Sequence, residues 1–136
     1  RPLQNTLELA ELIKKAIPAA ARRKGGHPAK RTFQALRMAV NDEIEELHTG
    51  LSSAVSRLMT NGCGVVISYH SGEDRIVKQL FRDVVTGGCR CPQKLPCVCG
   101  AISKARLLHS GTSASDEEIS INRRSKSARL RVVEMT

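Results

Sequence analysis

Aromatic side chains are nearly absent from this 136-residue chain, which has no Trp, one Tyr and two Phe. Binders of single-stranded nucleic acid that work by stacking usually present several exposed rings, so this scarcity disfavours that architecture. Phe33 and Phe81 fall on apolar helix faces, which assigns them to core. No apolar run approaches the ~20 residues a membrane span requires, so no membrane partner is expected. The first residues, Arg1-Pro2-Leu3-Gln4-Asn5, contain neither an initiator Met nor a signal peptide, so the start is expected to be truncated or processed. Internal repeats and low-complexity runs are missing as well. Acidic residues are the minority: 13 Asp and Glu stand against 22 Lys and Arg, a net charge of +9. That balance points to an anionic partner, nucleic acid before membrane. A chain of this size is one domain or a piece of one, able to bury about two thirds of its unfolded surface.

What is present begins with a short helix. Asn5 or Thr6 can cap it, Glu8 follows in capping-box register, and Leu9, Leu12, Ile13, Ala16 and Ile17 form its apolar face before Pro18. Residues 19–26 then make a basic connector through Arg22, Arg23 and Lys24, ending in two glycines. A long amphipathic helix is predicted from Thr32 towards Met59, with a candidate interruption at Thr49-Gly50. Its apolar stripe runs through Phe33, Leu36, Val40, Ile44, Leu47, Leu51, Val55 and Leu58, in steps of three and four. Opposite that stripe lie Lys30, Arg31, Gln34, Arg37 and Asn41, a basic and amide row suited to a nucleic-acid cleft. Asp42, Glu43, Glu45 and Glu46 read as a solubilising acidic stretch.

Residues 63–69 form a continuous, β-branched apolar run, the pattern of a central strand buried on both faces in a parallel sheet, with Cys63 as a small core residue. Ser71, with Asp74 three residues on, is placed to cap the next helix, whose buried face is Ile76, Val77, Leu80, Phe81, Val84 and Val85. Helix, buried strand and helix together give an α/β, Rossmann-like unit. In such sheets ligands gather beyond the strands' carboxyl ends, here at Tyr69, His70, Ser71 and Glu73. Further on come a strand over residues 105–109 and a short helix opened by residues 113–118. A basic loop over residues 122–127 leads to a last strand over residues 128–134. Arg129 and Arg131 alternate with Leu130 and Val132, so one face of that strand is expected to be basic.

Three segments carry a family resemblance. They are His27-Pro28-Ala29-Lys30-Arg31-Thr32-Phe33-Gln34-Ala35-Leu36-Arg37-Met38-Ala39-Val40-Asn41-Asp42-Glu43, Ile67-Ser68-Tyr69-His70-Ser71-Gly72-Glu73-Asp74-Arg75-Ile76-Val77-Lys78, and Arg124-Ser125-Lys126-Ser127-Ala128-Arg129-Leu130-Arg131. In that order they resemble the bacterial 16S ribosomal RNA cytosine-N4 methyltransferases (RsmH, also called MraW), over the later part of such an enzyme. The chain departs from that pattern at Tyr69, usually Phe, at Gly72, usually Leu, and at Arg123, usually Pro.

The resemblance implies the C-terminal part of a Rossmann-like class I methyltransferase. Residues 1–30 would be the end of a helical RNA-recognition insertion, and residues 31–136 part of the catalytic domain, with a Cys-rich excursion at 86–101. It implies S-adenosylmethionine as donor, a cytidine of 16S RNA in the small ribosomal subunit as target, and a cytoplasmic location. No GxGxG occurs, so the donor would be bound mainly by a missing N-terminal part. His27, Lys30, Arg31, Gln34, Arg37 and Asn41 are the candidates to line the cleft with His70 and Ser71 nearby, and Arg123, Arg124, Lys126 and Arg129 to attract phosphate. No residue is assigned proton transfer. Without its other half the fragment is expected to be inactive and to expose a strand edge, inviting a homodimer.

Cys89, Cys91, Cys97 and Cys99 form two C-x-C pairs separated by five residues. Four thiolates can enclose a zinc ion, although zinc ribbons use C-x₂-C, and reduced free thiols are the other reading. Two rival functions stay open. One is a non-catalytic, basic nucleic-acid-binding module with a four-cysteine zinc knuckle; the other is a helical scaffold piece whose charge serves solubility.

Overall fold

The computed structural model describes residues 2–18, 26–92 and 96–136. The basic connector, apart from Gly26, lies outside the described residues. The chain divides into two compact units, Arg1–Glu43 and Ile44–Thr136.

In the first unit, helix α1 spans Thr6–Ala16. Asn5 starts it by accepting the Glu8 amide at 3.0 Å, while the Glu8 carboxylate accepts the Gln4 amide at 2.9 Å. Helix α2, Lys30–Val40, grows out of the His27-Pro28-Ala29 turn. There the Lys30 amide donates to the His27 carbonyl at 3.0 Å, and the His27 Nδ1 accepts the Ala29 amide at 3.3 Å.

The single long helix expected towards Met59 is two helices. Asp42 takes the left-handed conformation, φ 51°, and helix α3 restarts at Glu43–Ser56. The break therefore falls at Asn41-Asp42 and not at Thr49-Gly50, where Gly50 stays helical. Asp tolerates this conformation better than most residues. The Glu43 carboxylate holds the break from within the first unit, taking Arg37 Nε at 2.8 Å and Asn41 Nδ2 at 3.2 Å.

The second unit continues with strand β1 (Cys63–Ser68), helix α4 (Ser71–Thr86), strand β2 (Ala105–Ser113) and helix α5 (Asp116–Ile121). A 3-10 helix over Arg123–Ser127, where a loop was expected, leads into strand β3 (Arg129–Met135). The three strands form one sheet in the order β1-β3-β2, with both pairings antiparallel. Helix α4 covers one face. Val77 and Phe81 from α4 pack with Val55 of α3, Ala105 of β2 and Val133 of β3, and Leu80, Val84 and Val85 lean on this core.

Three expectations are corrected here. Among the described residues the sheet is antiparallel, not parallel, and strand β1 lies at its edge, the exposed strand edge expected of a chain without its other half. Burial along β1 alternates, leaving Val65 62% and Ile67 54% exposed, because among the described residues nothing covers the sheet's second face. Cys63 lies in that same outward row and is exposed, not core.

Arg131 brings the third correction. It sits in register with Val66, on the α4 side of the sheet, and is only 7% exposed. Its Nε and Nη2 reach Asp74 Oδ1 and Oδ2 at 2.8 and 2.9 Å, and its Nη1 donates to the Ser110 carbonyl. Ser68 Oγ adds a 3.4 Å contact to the same carboxylate. Gly111, at φ 125°, leaves room for the guanidinium, since a Cβ there would stand 3.0 Å from Arg131 Nη2. Arg131 is thus an internal clasp and contributes nothing to a basic outer face.

This pair sets a test. Hydrogen bonding from Arg131, outweighing partial burial, holds the Asp74 carboxyl below its ordinary range. A depressed carboxyl contributes stability that is present above the unfolded value, about pH 4, and is lost as pH falls through the folded value. Asp74→Ala should therefore cost about 2–3 kcal/mol at neutral pH, somewhat less than breaking a fully buried pair. Urea unfolding of wild type should show an acid loss that Asp74→Asn lacks; superimposable pH profiles would mean that the clasp carries no stability.

Candidate nucleic-acid interface

The carboxyl end of β1 turns directly into α4, and His70 makes the turn. Its Nδ1 accepts the Glu73 amide at 3.3 Å, while Glu73 Oε2 accepts the amides of Tyr69 and His70 at 2.9 and 3.3 Å. This is a capping box in which a histidine takes the usual Ser or Thr role. Ser71, expected as the cap, is instead the first helical residue. His70 Nε2 lies 3.0 Å from Glu73 Oε1 without the alignment of a hydrogen bond.

Across the sheet from this turn, Arg129 is in register with Ser68 on one side and Ser113 on the other. The 3-10 helix that precedes it is tied down from within. Asn122 Oδ1 accepts the Arg124 amide at 3.1 Å, and buried Ser125 donates its hydroxyl to the Asn122 carbonyl at 2.8 Å. With Ser125 turned inward, Arg123, Arg124 and Lys126 are exposed, as is Arg129. One end of the sheet thereby gathers His70, Ser71 and the basic segment from Arg123 to Arg129. Helix α5 puts Asp116, Glu117 and Glu118 in its first turn, where they suit the helix dipole and temper the local positive field.

The other expected group, His27, Lys30, Arg31, Gln34, Arg37 and Asn41, belongs to the first unit. Lys30 and Arg31 are exposed and Gln34 is half-buried, whereas Arg37 and Asn41 are engaged by Glu43. The two groups are thus each assembled locally, in separate units. Sequence reasoning missed the Asp74–Arg131 clasp, whose partners lie 57 residues apart. An open groove of about 690 Å³ in the second unit, lined by His48, Ser52, Arg75, Gln79, Asp83 and Lys104 among others, contains none of the expected residues.

The cysteine excursion does converge. All four Sγ atoms of Cys89, Cys91, Cys97 and Cys99 lie within 4.8 Å of one another. The Cys99 amide, helped by the neighbouring thiols, brings Cys97 down to about 7. Cys89, whose contact with the Cys91 amide pulls the other way, is pushed up to about 12 by the thiols of Cys97 and Cys99.

These features define a mixed α/β chain with a half-covered antiparallel sheet and a basic rim. The chain belongs to the MraW methylase family, whose profile matches residues 1–136. It is 54% identical over 135 residues to the ribosomal RNA small subunit methyltransferase H of Pelobacter propionicus, covering 98% of this chain and 43% of that protein. Proteins of the same name from Geobacter sp. strain M21 and Heliobacterium mobile are each 52% identical, over the same shares of chain and relative. The chain therefore spans less than half the length of these relatives. Their shared name does not favour the non-catalytic knuckle module as the function of the whole. No helix among the described residues is long and apolar enough to cross a membrane.

The capping role of His70 is separable from any role towards RNA. His70→Asn, which preserves a side-chain acceptor, should keep wild-type thermal stability, while His70→Ala should lose about 1 kcal/mol. Equal melting temperatures for the two variants would show that the cap is dispensable.

Proposed function

We propose that this chain is the C-terminal part of an S-adenosylmethionine-dependent methyltransferase that methylates N4 of a cytidine in 16S ribosomal RNA. The substrate on this reading is the small ribosomal subunit, assembled or nearly so. The chain supplies the later part of a Rossmann-like class I fold, behind the end of a helical RNA-recognition insertion over residues 1–30, and is inactive alone. The observation that carries this reading is the incompleteness of the sheet. β1 has one unpaired edge and an exposed apolar face at Val65 and Ile67, in a chain spanning 43% of relatives named as ribosomal RNA methyltransferases. Further strands and helices of the same layers would seat there.

The described residues do not fit the methyl donor. A class I enzyme cradles it with a Gly-rich turn after one strand and an acidic residue after the next. Here the turn after β1 is closed by His70 and Glu73, the lone Gly72 is already helical, and Gly87 and Gly88 terminate a helix. Donor binding therefore belongs to the rest of the polypeptide.

What this chain contributes is RNA capture and orientation. The lone pair of the cytosine amino group is delocalised into the ring, so alignment of an unstacked base and polar contacts must supply much of the catalysis. Arg123, Arg124, Lys126 and Arg129 attract phosphates, and Ser71 stands beside them at the end of β1 next to His70, whose ring caps the helix. His27, Lys30, Arg31, Gln34 and Asn41 are a separate group of RNA contacts within the first unit. Arg37, neutralised by Glu43, acts there through hydrogen-bond direction more than through charge.

Calorimetric titration with S-adenosylmethionine should show no binding by the isolated chain and clear binding once it is joined to its upstream half. Tight binding by the isolated chain would overturn the assignment. Light scattering should find the isolated chain as a homodimer paired through the bare β1 edge, a result that a monodisperse monomer would contradict. In the full-length enzyme, replacing Arg123, Arg124, Lys126 and Arg129 with Ala should flatten the salt dependence of RNA affinity. The expected change in slope is about 0.7 for each phosphate that is no longer neutralised, and an unchanged slope would remove these residues from the interface.

A further inference from the structure

We propose that Cys89, Cys91, Cys97 and Cys99 bind one structural zinc ion that takes the place of a hydrophobic core in the excursion between α4 and β2. The four sulfur atoms already lie as near to one another as such an ion requires. Every Sγ is within 4.8 Å of the others, with Cys97 at 3.4 Å from Cys89 and 3.3 Å from Cys99. A tetrahedral site with Zn–S bonds of about 2.3 Å sets its sulfurs about 3.8 Å apart, so small movements suffice. All four donors would bind as thiolates, giving up their protons to solvent as the metal enters, a soft set that favours zinc over hard cations. Four protein ligands leave no open coordination position, which makes the site structural and not catalytic.

The surroundings explain why an ion is needed. The neck of the excursion is well held. Gly87 ends α4 in the left-handed conformation, φ 62°, with Ile102 backbone packed where a side chain would otherwise stand. The Gly88 amide donates to the Asp83 carbonyl at 2.7 Å, and the Lys104 amide to the Val84 carbonyl at 3.3 Å. Beyond that neck the described residues bury no apolar side chain, and Val98 and Ile102 point largely into solvent. Each C-x-C pair hangs from one side of the neck, the first through the Cys89 amide on the Thr86 carbonyl at 3.2 Å. A metal joining the two pairs closes the loop that hydrophobic burial leaves open. Arg90, between the first two ligands, offsets part of the surplus charge of a four-thiolate site. Cys63, on the exposed face of β1, takes no part.

The proposal is independent of methyl transfer, and its test reads metal and not activity. The chain purified without chelators should carry about one zinc by elemental analysis, with Cys63 as its only freely titrating thiol. Exchange into cobalt should give the visible absorption of a tetrahedral thiolate site. Cys97→Ser with Cys99→Ser should abolish both signals, and Cys63→Ser should leave both intact. Removing the zinc should open residues 89–99 to protease while the α4–sheet core keeps its protection. A chain that takes up neither zinc nor cobalt, that forms disulfides between these residues, or that keeps its metal in the double variant would overturn the site.

Discussion

A single buried guanidinium holds the second unit together. Arg131 projects from the middle strand of the sheet and binds Asp74 in the first turn of α4 through two parallel hydrogen bonds, at 2.8 and 2.9 Å. It also donates to the β2 backbone at Ser110, while Ser68 at the end of β1 touches the same carboxylate. One interaction thus ties every strand to the covering helix. A buried ion pair gains little over well-packed hydrophobic residues, because desolvation offsets much of the attraction. Its value here is geometric. A fork that must meet one carboxylate and one carbonyl tolerates no slip of α4 along the sheet, and so it sets where α4 begins. The His70 cap, Ser71 and the paired Arg129 inherit their positions from that constraint.

The rim of basic residues is built by turning neighbours inward. Ser125 is buried against Asn122, which orients Arg123, Arg124 and Lys126 outward without any charge partner inside the 3-10 helix. On the other side of the sheet the opposite arrangement holds. Val65 and Ile67 are exposed beside an unpaired strand edge, a surface that isolated proteins rarely leave bare. The chain spans 43% of the length of a relative 54% identical to it, and on the proposed reading the other part of such a protein would supply that cover. The cysteine excursion is a separate solution to the same shortage of apolar contacts, with sulfur in place of hydrocarbon.

Local rules were legible from the sequence. The Asn5 cap and the end of α1 before Pro18, the buried face of α4, the acidic first turn of α5 and the presence of all three strands follow from periodicity and capping chemistry, since those interactions span at most a few residues, whereas β2 runs four residues beyond its expected end, to Ser113. The spacing of the four cysteines left a zinc site and free thiols both open, and only the fold shows that their sulfurs converge. The break at Asp42 was not legible, because φ 51° is open to many Asp residues and only the grip of Glu43 on Arg37 and Asn41 selects it.

Taken by itself, the sequence determined the order of the main helices and strands, the surplus of positive charge and the family to which the chain belongs. The tertiary structure alone decided which faces of the strands are buried. An apolar strand looks the same whether one face or both are covered, and β1 proved to be covered on one. An arginine alternating with apolar residues looks like surface, yet Arg131 is internal because Asp74, 57 residues away in the chain, is folded against it. Burial is a property of neighbours brought from far along the chain, and residue spacing carries no record of them.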